Sequence, residues 1–356
     1  MPEELAAVDK RSRILLHGGY IDAPFQTHLR QLDKPALIDC LYDLFRRESA
    51  ESYGSFLEML YGRFGRSITE LFLRPYNEKL YACDLRRLDE KAMGRFFPCP
   101  SLAEIVESLK RDRNESYNGS FFYPKNGAGA FVDRLCARLP SGCLLTGRAL
   151  TAVDLQTRTA EDSEGQQYRF ERLINTGPLH RFLPLLRTEA ADRLAAGLSC
   201  NKVLVFNLGF ARACPERREH WIYVPDRGVN FYRIGFYNNL LGSEPASLYL
   251  EIGFPENAAV DEKAELERAM TALYDTEILS RGMQPLCSSA LVMDPAYVHI
   301  GADTEREVSL ALKELERSGV YSIGRYGSWT YCSMEDCMLQ AWALAERLKR
   351  ESGSKA

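Results

Sequence analysis

No GxGxxG run occurs anywhere in the 356 residues. The chain therefore lacks the fingerprint of a self-contained dinucleotide-binding βαβ turn, whose glycines let backbone and a helix N-terminus approach a pyrophosphate. Gly127 and Gly129 stand close together, but a third glycine is missing and Pro124-Lys125-Asn126 before them is no strand. No apolar run reaches 18 residues, so no membrane-spanning helix is expected. No Lys/Arg block is present and the net charge is -4, which gives no field for nucleic acid and no polybasic membrane patch. The opening MPEELAAVDK has no apolar h-region, so no secretory signal is expected. Ten cysteines are scattered without a CxxC pair, and five histidines show no ligand spacing. Neither a zinc site, nor any other metal site, nor a disulfide framework is indicated. Reduced cytoplasm is the economical location for such cysteines. No Ser/His/Asp or Cys/His constellation offers itself for nucleophilic catalysis.

What is present is ample hydrophobic material, 46% of the chain, over a length that suits two lobes. The most informative stretch is the last fifty residues. Residues 304–317 have a helical period and close at Ser318-Gly319. Residues 320–323 are a short apolar run, read as a buried strand. Gly324 then opens a loop holding Arg325, Tyr326, Gly327, Trp329 and Tyr331. Ser333 with Asp336 is a capping-box pattern starting the last helix, on which Met338, Ala341, Trp342, Ala345 and Leu348 form an apolar stripe. A glycine turn leading into a helix N-terminus can face a flat, electron-rich ligand that gathers negative charge. It can equally be an ordinary αβ crossover whose aromatics are core.

Earlier in the chain, residues 14–16 and a second strand after Gly18-Gly19 read as a β-hairpin. Residues 34–115 read as helical, with Ile38, Leu41, Leu44 and Phe45 at helical spacing and Pro35 suited to a first turn. Ser67 with Glu70 and Ser101 with Glu104 look like capping boxes, and the helix from Ser67 is expected to stop before Pro75. A helix is expected over 130–139, and short strands over 144–146, 152–155 and 168–170. Residues 201–210, 231–237 and 247–252 read as β, and 261–280 as an amphipathic helix.

Several of these segments carry a resemblance. Gly324-Arg325-Tyr326-Gly327-Ser328-Trp329, then Tyr331 and Met334-Glu335-Asp336, resemble the C-terminal flavin-binding motif of the UDP-galactopyranose mutase group. That group belongs to the wider amine-oxidase and protoporphyrinogen-oxidase class of FAD proteins. Pro24-Phe25-Gln26 is similar to a motif whose glutamine meets the uracil, which gives Gln26 that role. Ala23 stands where the family usually has a tyrosine. Arg74-Pro75-Tyr76-Asn77-Glu78-Lys79 resembles the group's PYN motif, so Asn77 is implied beside the sugar. Tyr81 replaces the family's pocket tryptophan. Arg95 best matches a mobile-loop arginine, with Arg86 and Arg87 as alternatives. Asn118 matches a substrate-contacting asparagine. Tyr223 and Arg233 match a tyrosine and an arginine that bind the diphosphate, and Arg233 suits that task through its planar fork of donors. Tyr297 and Tyr331 match tyrosines near the phosphates. By the same resemblance Gly324, Arg325, Tyr326, Trp329, Ser333 and Met334 face the flavin.

The implied fold is mixed α/β, a FAD/NAD(P)-binding-like flavoprotein fold lacking its N-terminal GxGxxG unit, with a helical lobe and an antiparallel-sheet substrate lobe. The implied division is a linking hairpin over 1–33, a helical lobe over 34–117, a remnant FAD-binding domain over 118–180 with 316–350, and the sheet domain over 181–315. The implied activity is a UDP-sugar ring interconversion, pyranose to furanose, through a flavin N5 adduct, with FAD as cofactor and a nucleotide sugar as substrate. Two other readings stay open. One is a flavin oxidoreductase of the amine-oxidase class with another substrate. The other is a non-catalytic lobe whose nucleotide-binding half comes from a partner chain. For the missing GxGxxG unit itself, truncation, a second polypeptide and loss of flavin all remain open.

Overall fold

The computed structural model describes residues 2–110, 119–214 and 218–353. Asn118 falls outside them. The chain forms two compact units, one built from 1–86, 95–143 and 201–296, the other from 87–94, 144–200 and 297–356.

The first unit is organised on a sheet whose strands run in the order Cys287–Met293, Ser199–Gly209, Ser247–Pro255, Arg233–Phe236, Trp221–Tyr223, Ser12–Leu16, Gly19–Asp22. Neighbours are antiparallel except Trp221–Tyr223, which pairs in parallel with Ser12–Leu16. Alternation along the strands sends Leu204, Phe206, Leu208, Ile234, Phe236, Leu248 and Leu250 into one core. Helix Glu262–Asp275, capped by Asp261, closes it with Ala269 and Leu273.

The helical part of this unit begins with Lys34–Arg46, where Asp33 caps and Pro35 sits in the first turn. It buries Cys40 and Leu44, while Ile38 and Phe45 of the expected face are exposed. Helix Phe56–Ile68 is capped by Ser55 and kinked at Gly65, whose φ of 75° no ordinary side chain adopts cheaply. A Cβ there would stand 2.7 Å from the Asp43 carbonyl carbon, so the kink also lets two helices touch. The expected Ser67–Glu70 box does not form. The Ser67 N–H and hydroxyl both donate to Asp43 Oδ2, at 2.8 and 2.6 Å, so the neighbouring helix supplies the cap. Nor does the helix stop before Pro75. A π turn, Thr69–Leu73, passes directly into helix Arg74–Tyr81, where Pro75 occupies the first turn and needs no N–H partner. The Ser101–Glu104 box does form, at the head of Leu102–Ser108.

The second unit holds a two-stranded parallel pair, Val320–Ser322 with Leu173–Asn175, and a three-stranded antiparallel sheet of Leu150–Asp154, Thr159–Asp162 and Gln167–Arg169. The strand expected over 144–146 is irregular backbone, and strand Thr159–Asp162 was not anticipated. The core gathers Leu179, Phe182, Leu198, Val298, Leu315, Val320 and Trp329. Helix Thr304–Arg317 ends in Gly319, as its spacing predicts. The last helix, Met334–Gly353, docks through Leu344, which is buried. Its expected apolar stripe is not a docking face: Met338, Ala341, Trp342 and Ala345 are exposed, and Trp342 keeps 67% of its surface. No helix among the described residues is long and apolar enough to cross a membrane.

Candidate active site

In the first unit Asn77 and Tyr81 lie on helix Arg74–Tyr81, and Tyr223 meets it through Tyr76. Asn77 is 2% exposed. Its Nδ2 donates to the Leu73 carbonyl at 2.6 Å, and its Oδ1 has no partner among the described residues. Tyr81 is fully buried and meets the Phe56 ring edge-on at 6.3 Å. Tyr76 carries the helix outward. It stacks on Phe72 at 5.2 Å and meets the ring of Tyr223 edge-on at 5.5 Å. Tyr223 stands directly across from Arg233 on paired strands, which explains their spacing in the sequence. Residues directly opposed across a strand pair present their side chains on the same face.

Arg233 is half-buried and paired. Its Nε donates to Glu251 Oε2 at 2.8 Å and its Nη2 to Oε1 at 2.6 Å, a two-pronged pairing with a carboxylate that is itself buried. Glu251 escaped the sequence reading. The available signal was one charged residue inside the apolar run of strand Ser247–Pro255, which needs a partner. Lys79, also of the PYN hexapeptide, was missed as well. Its Nζ donates to the carbonyls of Val224, Asp226 and Phe231 at 2.8, 2.9 and 2.6 Å, tying the motif helix to the segment after Tyr223. Burial pulls this amine down to about 7, against an opposing pull from Asp226.

Gln26 is buried, and its Nε2 donates to the Pro98 carbonyl at 2.8 Å. Its neighbour Phe25 packs on Phe72 at 5.3 Å, so Phe25, Phe72, Tyr76 and Tyr223 form one continuous path of rings. Arg95 is exposed, its guanidinium 5.0 Å from the Phe96 ring centre. A cleft of about 530 Å³ in this unit is lined by Asp9, Arg11, Arg218, His220 and Asn239, and by none of the expected site residues.

In the second unit the expected loop after Gly324 is one turn of helix, Gly324–Gly327. Gly324 has φ of 81°, and a Cβ on it would meet nothing nearer than Cys337 Sγ at 3.9 Å. Gly327 answers to a closer constraint. A Cβ there would come within 2.8 Å of the Asn175 carbonyl oxygen, so glycine lets the turn lie against strand Leu173–Asn175. Arg325 lies over two rings, 5.3 Å from the centre of Tyr297 and 4.5 Å from that of Tyr331. Those rings are near-parallel, 14° apart with centres at 6.0 Å. The arginine's Nη1 donates to the Cys332 carbonyl at 3.4 Å. Tyr326 packs against the core and Trp329 lies within it, its ring 4.9 Å from His180. Ser333 and Asp336 form the expected cap: the Ser333 N–H and hydroxyl donate to Asp336 Oδ2, both at 2.8 Å, and the Asp336 N–H donates to Ser333 Oγ at 3.1 Å. Met334, next along, is 70% exposed.

Two buried donors in this turn, Arg325 Nε and Trp329 Nε1, have no acceptor among the described residues. An unsatisfied buried donor costs about 1–3 kcal/mol, so such atoms are normally matched by something. The orphan donor of Arg325, in an open glycine turn, fits the ring of a flavin, whose edge is rich in acceptors, whereas Trp329 Nε1 lies within the core. For the phosphate end these 356 residues hold no GxGxxG turn.

The flavin-containing amine oxidoreductase family matches residues 18–349. Among solved structures, a reduced UDP-galactopyranose mutase aligns with TM-score 0.85 and 22% identity, over 92% of this chain and 75% of that one. A protein from Exiguobacterium sp. 255-15, named as a protoporphyrinogen oxidase by assignment, aligns with TM-score 0.77 and 16% identity, over 98% and 82%. Cyclohexylamine oxidase from Brevibacterium oxydans aligns with TM-score 0.65 and 13% identity, over 97% and 83%. At these identities the structural likeness is one of fold. The expected mixed α/β flavoprotein fold and the resemblance to the amine-oxidase class are borne out.

Proposed function

The chain belongs to the flavin-containing amine oxidoreductase family, and from that membership we propose that it acts on a nucleotide diphosphate sugar, interconverting its ring forms as a mutase does. The observation that carries this reading is the cross-strand placement of Tyr223 opposite Arg233. Those are the two residues the resemblance assigns to a diphosphate, and they share one face. FAD, the cofactor of this family, supplies the reactive centre when bound. The chain's own residues bind and orient. Glu251 fixes the plane of the Arg233 guanidinium, and the diphosphate oxygens share that cation with it. Tyr223 gives a ring edge and hydroxyl beside the phosphates. Arg325 and the Gly324–Gly327 turn hold the flavin ring, with Met334 exposed at the helix N-terminus and the buried Trp329 supporting the turn from the core. Asn77 and Tyr81 act from inside the helical part by shaping it, since both are buried.

The phosphate cradle for FAD belongs, on this reading, to a βαβ unit outside these residues. Two features support it. Strand Leu173–Asn175 pairs only with Val320–Ser322 among the described residues, and parallel strands usually lie in larger, covered sheets. The last helix also leaves Met338 and Trp342 in the open.

The test is to supply the chain with FAD together with a GxGxxG βαβ unit as a second polypeptide, reduce the flavin, and follow UDP-galactopyranose and UDP-galactofuranose by chromatography. Ring interconversion that requires the reduced state is the expected result. A second reading, an amine-oxidising flavoenzyme, is favoured by the tight Arg233–Glu251 pairing, which occupies the diphosphate-binding cation. Oxygen consumption with an amine and indifference to both UDP-sugars would replace the first reading by the second.

A further inference from the structure

The N-terminus of helix Met334–Gly353 joins two local devices. Ser333 and Asp336 make the capping box. The residue before the cap and the fourth helical residue are the positions of a hydrophobic staple. Here those positions are both cysteine, Cys332 and Cys337. Their Sγ atoms stand 3.7 Å apart, and the Cys337 N–H donates to the Ser333 carbonyl at 3.1 Å, closing the first helical turn beneath them. Both thiols are free. The backbone is therefore already wound into the arrangement that brings the sulfurs into contact.

We propose that Cys332 and Cys337 form a reversible intramolecular disulfide, a covalent staple across this helix N-terminus. Bond formation needs the sulfurs to close by about 1.6 Å, a side-chain adjustment. The oxidant is a small external disulfide such as oxidised glutathione. Cys337, the less buried of the two, attacks one sulfur as its thiolate and releases one small thiol. Cys332 then gives up its proton and attacks Cys337 Sγ, releasing the second. Two protein thiols are oxidised, one external disulfide is reduced, and two small thiols leave. Burial, then the neighbouring Cys337 thiol, pushes the Cys332 thiol up to about 11, which leaves the first encounter with the oxidant to Cys337; Cys332 resolves the mixed disulfide because its Sγ already stands 3.7 Å from Cys337 Sγ. The staple ends the segment that holds Arg325 through the Cys332 carbonyl, so oxidation would stiffen that turn. The inference rests on sulfur geometry and is independent of which substrate the chain takes.

The test uses the whole chain in glutathione buffers of graded ratio, quenched with acid and alkylated. Cleavage after Arg325 and Arg347 yields one peptide, 326–347, that holds both cysteines and no other. The native chain should give this peptide two hydrogens lighter and unalkylated. It should become half-oxidised at a ratio at least about tenfold more reducing than the same chain in concentrated guanidinium chloride, because the fold raises the effective concentration of one thiol at the other. Cys332→Ser should instead accumulate glutathione on Cys337. Equal oxidation of native and denatured chains would show that the pair is only an apolar staple and would overturn the proposal. So would native wild-type chain carrying glutathione on Cys337 without ring closure.

Discussion

In the sheet unit, Arg233 meets a buried carboxylate; in the C-terminal turn, Arg325 meets the faces of two tyrosines. Both are arginines at positions the resemblance gives to ligands, yet they are held by different forces. The ion pair satisfies Arg233 with directed hydrogen bonds and fixes its plane. The ring faces hold Arg325 without using up its donors, and its Nε stays buried and unmatched. A fully paired cation is structural first and can serve a ligand only by sharing. A cation held by rings has donors left over. The turn is therefore the better candidate for a ligand that has acceptors, and the strand pair the better candidate for an anion that shares an existing charge.

Breaking the first side of this comparison should have the largest effect. Arg233→Ala leaves Glu251 buried and uncompensated, and should cost about 3–5 kcal/mol in a denaturant titration. The double change R233M/E251L should restore most of that, because apolar residues of similar size replace a buried pair nearly without loss. On the other side, Gly327→Ala should cost about 1–3 kcal/mol, since the new Cβ presses on the Asn175 carbonyl and the Ser322 hydroxyl. It should also weaken flavin uptake, read by quenching of flavin fluorescence.

Lys79 adds a third kind of anchoring, a cation ringed by carbonyls, and gives a pH signature. Its folded value is lowered to about 7, so between there and its ordinary value the unfolded chain binds more protons. Stability should rise with pH across that window, by roughly 1 kcal/mol per unit. Lys79→Met should flatten the slope, and an unchanged slope would remove the lysine from the account. The smallest effect belongs to Arg325→Ala. It should lower stability by only about 1 kcal/mol while weakening flavin uptake more than any change at Arg233.

The sequence was most readable where chemistry is local. The Ser333–Asp336 cap, the stop at Gly319 and the hairpin over the first strands depend on neighbours in the chain, and each forms as expected. It misled where a distant residue takes over a local role. Ser67 looks like a cap, but Asp43 caps instead. The stripe on the last helix has a helical period, yet the helix buries a different face, and periodicity cannot say whether anything covers a stripe. Of the candidate site, the order Tyr223 then Arg233 was visible, while the carboxylate that holds Arg233 was not. Glu251 reaches it only through strand pairing, which one strand does not reveal.

The most direct measurement is a calorimetric titration of the FAD-treated, reduced chain with UDP. The account predicts saturable binding of one UDP per chain, displaced by UDP-galactose and abolished in R233M/E251L, whose fold should survive. No heat at any UDP concentration, with that variant and the wild type indistinguishable, would contradict the diphosphate-binding role on which the proposed function stands.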